Sequence, residues 1–108
     1  MYKPCVYIPE SHLEQVKTAL FEAGAGKIGD YDSCSWQVLG QGQFRPLAGS
    51  QPYIGQQGVV ETVSEYKVEM VCEDRLIKTV IKVLKEAHPY EEPAFDVWQL
   101  ADLSSLGI

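Results

Sequence analysis

No stretch of this sequence approaches the roughly 20 consecutive apolar residues that a membrane span requires. Its apolar runs are only a few residues long, and the opening MYKPCVYIPE lacks the charged-then-apolar order of a signal peptide. Positive charge is also scarce. Nine lysines and arginines stand against fifteen aspartates and glutamates, giving a formal net charge of −6 and a pI near 4.8. No basic run offsets this locally, so nucleic acid is excluded as a partner and anionic membrane surfaces are disfavoured. Cysteine is limited to Cys5, Cys34 and Cys72, with no CxxC pair. That spacing writes neither a zinc knuckle nor a dithiol redox motif. Cys5 and Cys72 sit in apolar runs and read as small core hydrophobes, while Cys34 lies among polar residues and glycines. A cytoplasmic protein is expected.

What remains is an ordinary globular composition, 45% hydrophobic and 22% charged over 108 residues. One domain spanning residues 1–108 can bury a sufficient core without a metal or disulfide staple. Residues 2–8 alternate as a strand, in which Pro4 is tolerable only near the start or on an edge. Ser11 and Glu14 have capping-box spacing, and Leu13, Val16, Leu20 and Ala23 recur at helical intervals until Gly24 stops the helix. Gly24, Gly26 and Gly29 then mark a turn. Phosphate-cradling loops run from strand to glycines to helix, whereas these glycines follow a helix and feed a strand.

Residues 34–44 form a second strand carrying Trp36, Val38 and Leu39, followed by a nearly uncharged connection over 44–58. Residues 59–72 alternate most clearly, with Tyr66, Val68, Met70 and Cys72 on one face and Glu65, Lys67 and Glu69 on the other. Asp74 is placed to cap a second helix, with Leu76, Ile77, Val80, Ile81, Leu84 and Ala87 inward and Lys78, Lys82 and Lys85 outward. Pro89 ends it, and residues 94–100 supply a last strand. Two strand–helix–strand units sharing one antiparallel sheet predict an α+β, ferredoxin-like sandwich with both helices on one face. That topology puts the loop over residues 88–93 at the same end as His12 and the 44–58 connection. The glycine turn falls at the opposite end.

The stretches VYIPESHLEQVKTALFEAGAGKIGDYDSCSW, GQFRPLAGSQPYIG and AHPYEEPAFDV together resemble, in this order, the domain inserted in many bacterial Nif-three-like proteins. That domain is similar to PII signalling proteins and to CutA, both ferredoxin-like trimers, and CutA carries a related HPYE stretch. The resemblance implies a PII/CutA-like fold and a homotrimer. The flanking part that supplies dinuclear metal ligands in those hexameric proteins has no counterpart in these residues, so no reaction is implied.

The sequence HPYEEP places an imidazole, a phenol and two carboxylates on one proline-stiffened loop: His88, Tyr90, Glu91 and Glu92. One reading is a divalent-metal site, His88 with Glu91 or Glu92, completed by His12 or by a group from another subunit. The other is a rigid helix exit with the glutamates in solvent. Tyr31 and Cys34 follow the glycine turn, where Lys27 is the nearest cation and no histidine serves as base. Arg45 is placed either to grip an anionic ligand or to form a rim salt bridge. Tyr90, Arg45, Tyr31 and Cys34 are the candidate ligand-binding residues, and no residue is read as catalytic. The function expected is a non-enzymatic, PII/CutA-like oligomeric binding or regulatory module of unknown ligand, or else a divalent-metal-binding protein using the HPYEEP loop. A divalent metal ion is the one candidate cofactor, with a purely structural assembly module as the remaining alternative.

Overall fold

Tyr2–Pro9 forms strand β1, and alternation along it sends Val6 and Ile8 into the core. The computed structural model describes all 108 residues. After β1 come α1 (Leu13–Glu22), β2 (Trp36–Phe44), β3 (Glu61–Glu69), α2 (Ile77–Ala87) and β4 (Phe95–Gln99). The strands lie in the order β2-β3-β1-β4, each antiparallel to its neighbour. This is the ferredoxin-like arrangement. Val16 and Leu20 from α1, with Val80 and Leu84 from α2, close over Val6, Ile8, Val68 and Met70. Lys78, Lys82 and Lys85 stay in solvent on the outer side of α2.

Pro4 is the third residue of its strand, near the start as expected, but the strand is not an edge. It lies within the central strand, paired on one side with Val97 of β4. On the other side Met70 donates its N–H to the Pro4 carbonyl at 3.3 Å, and proline has no N–H to return. The missing bond divides the ladder. β3 ends at Glu69, short of the expected Cys72, and pairing resumes only where Tyr2 and Cys72 exchange both bonds at 2.8 Å.

The helix caps also differ. Each helix opens with a 3-10 turn, Glu10–His12 or Asp74–Leu76, and neither has a side-chain cap. The Leu13 and Ile77 N–H groups instead bond to the backbone carbonyls of Glu10 and Asp74. Ser11 Oγ is left to meet His12 Nδ1 at 2.8 Å, Glu14 pairs with Lys17, and Asp74 meets the N-terminal ammonium. The C-terminal residues form a 3-10 turn, Leu103–Leu106, in which Asp102 accepts the Ser104 N–H and the leucines remain exposed.

At its far end α1 stops as the glycine predicts. Ala25 donates to the Leu20 carbonyl and Gly24 to that of Phe21, the paired bonds of a Schellman motif. Gly26 then threads a narrow gap at φ +79°, its N–H bonded to Val71 and its carbonyl to the Cys34 N–H, both at 2.8 Å. A Cβ here would stand 2.8 Å from the Cys34 carbonyl and 2.9 Å from the Phe21 ring, whereas Gly29, at φ +57°, faces open space.

The β1 ladder stops at Glu65, but β2 and β3 remain paired out to Phe44 and Glu61. Residues 41–44 and 61–64 therefore leave the sheet as a two-stranded ribbon, and the molecule is elongated, 51 × 26 × 24 Å. The 45–60 connection starts from the tip of this ribbon.

The two glycines make a controlled comparison. Gly29→Ala carries only left-handed strain and should cost about 1 kcal/mol. Gly26→Ala adds the backbone clash and should cost about 2 kcal/mol or more. Urea denaturation of both variants measures the difference, and equal losses would contradict the close approach at Gly26.

Candidate functional site

Helix α2 ends at Ala87 because Pro89 disfavours helical geometry in the residue before it. His88 accordingly turns extended, with φ −72° and ψ 137°, and its side chain swings inward until the residue is only 5% exposed. There Nε2 lies 2.7 Å from the Tyr7 carbonyl of β1, and Nδ1 accepts the Tyr90 N–H at 3.1 Å. These partners fix the tautomer. A nitrogen facing a carbonyl must carry the proton, and one accepting an N–H must not, so the ring is neutral and Nε2-protonated. Burial pushes its pKa below the ordinary histidine value, the Tyr7 bond opposes that shift, and the charge of nearby His12 adds to it.

Held this way, the loop aims Tyr90 into a group of aromatic rings. The Tyr90 ring meets His88 edge-on at 4.8 Å, Phe44 at 6.0 Å and Tyr53 at 6.4 Å, and Tyr53 in turn meets His12 at 5.7 Å. The Glu91 carboxylate accepts the Gln51 N–H at 3.2 and 3.3 Å, tying the long connection to this loop. Between the two loops lies a cavity of about 400 Å³, walled by Phe44, Tyr53, Tyr90, Arg45 and carboxylates. The Tyr90 hydroxyl is buried and faces the Glu65 carboxylate without closing a hydrogen bond of ordinary geometry. Its pKa is pushed up to about 12, mainly by burial and then by the negative charge of Glu65. Glu65 itself is raised above the ordinary carboxylate value by burial.

Of the residues singled out from sequence, Tyr90, Arg45, Glu91 and Glu92 all line this cavity. His12 reaches the same end through Tyr53. His88 packs behind the cavity with both ring nitrogens engaged. No three histidine, cysteine, aspartate or glutamate side chains converge closely enough to hold a metal ion. Tyr31 and Cys34 lie at the other end of β2, away from Phe44 and the cavity. There Ile28 and Tyr31 exchange both backbone bonds across a tight turn, Tyr31 stands exposed, and the Cys34 thiol approaches the Asp32 carbonyl at 3.5 Å. Sequence reasoning missed Glu65. Alternation placed it on the solvent side of β3, and it is on the face away from the helices, but the cavity takes it out of water. Its one sequence signal is Gly42 on the neighbouring strand, where any Cβ would overlap the Glu65 carboxylate.

No family model matches the chain. It is 50% identical over 95 residues to a protein of Mycobacterium leprae named GTP cyclohydrolase 1 type 2 homolog, covering 88% of this chain and 25% of that one. The chain thus spans about a quarter of the length of the curated relatives it matches. Among solved structures it resembles a Bacillus cereus protein related to NIF3, at 40% identity and a TM-score of 0.80, over 94% of this chain and 26% of that one. The PII-like protein CutA from Nostoc sp. aligns over 99% of this chain and 88% of its own, with a TM-score of 0.69 at 19% identity. The fold is that of CutA and PII-like proteins, and the sequence is similar to about a quarter of the length of Nif-three-related proteins.

Because the native imidazole is neutral and its pKa depressed, the stability it contributes is present above about pH 6.5 and lost as pH falls through the lower, folded value. Glu65 acts in the opposite sense, since a raised carboxyl gains stability on protonation. His88→Asn keeps an acceptor for Tyr90 but abandons the Tyr7 carbonyl, and should cost about 1–3 kcal/mol at neutral pH. The loss should shrink as pH falls towards 5, because only the wild type has a proton to take up there. Urea midpoints for both proteins across that range measure it, and parallel profiles would refute a native imidazole kept neutral by its surroundings.

Proposed function

We propose that the chain is a non-catalytic, self-assembling binding module that holds a small ligand in the cleft between the 45–60 connection and the HPYEEP loop. The observation that carries this reading is the cavity itself, since about 400 Å³ with aromatic walls and a few polar groups is the usual form of a small-ligand site. The non-catalytic part rests on the placement of the reactive groups. Cys34, the one nucleophile considered, is remote from the cavity, and His88 is committed to backbone partners.

Assembly is supported by the sheet face turned away from the helices. Trp36 and Val38 of β2 and Trp98 of β4 lie there, 60%, 44% and 49% exposed. Their register partners Glu69, Lys67 and Lys3 are on the same face, with Lys67 5.9 Å from the Trp98 ring. β2 and β4 are also bare edges, which natural sheets seldom leave uncovered. A trimer is the number that the resemblance to CutA and PII-like proteins implies. No helix is long and apolar enough to cross a membrane, and the acidic balance argues against nucleic acid as the partner.

Light scattering should give about three times the chain mass of 12.1 kDa at micromolar concentration. Val38→Glu puts a charge into the exposed face without touching the core, and should reduce the mass to one chain with an unchanged circular dichroism spectrum. A wild-type mass of one chain would reject the assembly reading. Mass spectrometry of the natively purified protein identifies what the cleft retains.

A further inference from the structure

We propose that the cleft is a cage for an organic ammonium cation, a small alkylated amine. The inference deepens the binding reading above and rests on it. Three aromatic rings wall the cavity, and their planes are inclined, 52° between Phe44 and Tyr90 and 43° between Tyr53 and Tyr90. Tyr90 packs against both other rings, with centroids 6.0 Å from Phe44 and 6.4 Å from Tyr53, so a cation at the Tyr90 ring lies beside a second ring as well. The faces of aromatic rings are electronegative and attract a cation, the more strongly when water is kept out.

The charged lining points the same way. Three carboxyl groups, from Glu65, Glu91 and Glu92, oppose the single guanidinium of Arg45. An anionic ligand would meet net repulsion there. A bare divalent ion needs oxygens or nitrogens converging on one point, and no three do. A bulky ammonium group needs no such convergence, because its charge is spread over a volume that ring faces and scattered carboxylates can both contact. The buried Tyr90 hydroxyl faces Glu65 and so belongs to the same aromatic and acidic wall of the cavity. Arg45 is the cation already present, and it competes with the ligand for the same field.

Choline is a suitable probe, compared by isothermal titration calorimetry with the uncharged alcohol in which carbon replaces its quaternary nitrogen. Choline should bind at least about tenfold more tightly than this isostere. Tyr53 is a half-exposed loop residue, so Tyr53→Leu leaves the core intact and should weaken choline about tenfold. Glu92→Gln should weaken it several-fold, and Arg45→Ala should strengthen it. Equal affinity for choline and the isostere, or an unchanged affinity in Tyr53→Leu, would overturn the proposal. If the natively purified protein retains a neutral or anionic compound in this cleft, the cage is rejected while the binding reading stands. Failure to retain or titrate any compound would reject both.

Discussion

The His88 imidazole donates to a carbonyl of the central strand and accepts an N–H from its own loop, and the geometry of the cleft depends on both bonds. The first pins the exit of α2 to β1, the strand with partners on either side. The second sets the direction in which Tyr90 leaves the backbone. Tyr90 then positions Phe44 and Tyr53 around itself, and Glu91 fastens the opposite loop through Gln51. A side chain that offers one donor and one acceptor in a rigid ring meets this requirement, and a protonated imidazole, with two donors, does not. The histidine of HPYEEP is thus a positioning residue, and the carboxylates beside it face the cavity.

Much of the fold was legible because it rests on periodicity. The spacing of Val16 and Leu20, the alternation of Val68 and Met70, and the stop at Gly24 each report a local constraint that survives in the native structure. The capping residues were misread for a physical reason. Ser11 and Asp74 have side chains able to cap, but the 3-10 turns satisfied the first amides through the backbone and released those side chains for other partners. Pro4 sits near the start of its strand as the sequence allows, and a central strand tolerates it because the bond it forfeits falls at a ladder's end, which only the register reveals.

The site was legible in part. The HPYEEP loop and Arg45 drew attention by composition, and both belong to the cleft. Glu65 did not, because alternation assigns a residue to a sheet face and is silent about what later covers that face. The covering comes from a connection rich in proline and glycine, whose path over residues 45–60 follows no period. Tyr31 and Cys34 attracted notice for their side chains, and they lie at the other end of β2, as the topology placed the glycine turn. Chemistry-bearing residues become a site only when the fold brings them together.

The ribbon beyond the sheet has a further consequence. An isolated two-stranded hairpin is marginal in water, and residues 41–44 and 61–64 have no third strand paired with them. Their backbone amides therefore have less support than those of β1, and the ribbon is expected to open more readily. Phe44 and the root of the 45–60 connection are part of that ribbon, so the cleft inherits its opening equilibrium. Neighbouring chains that close on the ribbon would raise the population of the competent cleft, and ligand would in turn favour the closed ribbon. On the proposed binding and assembly, occupancy and subunit association would be linked functions, and the affinity of the cleft would depend on the protein's own concentration.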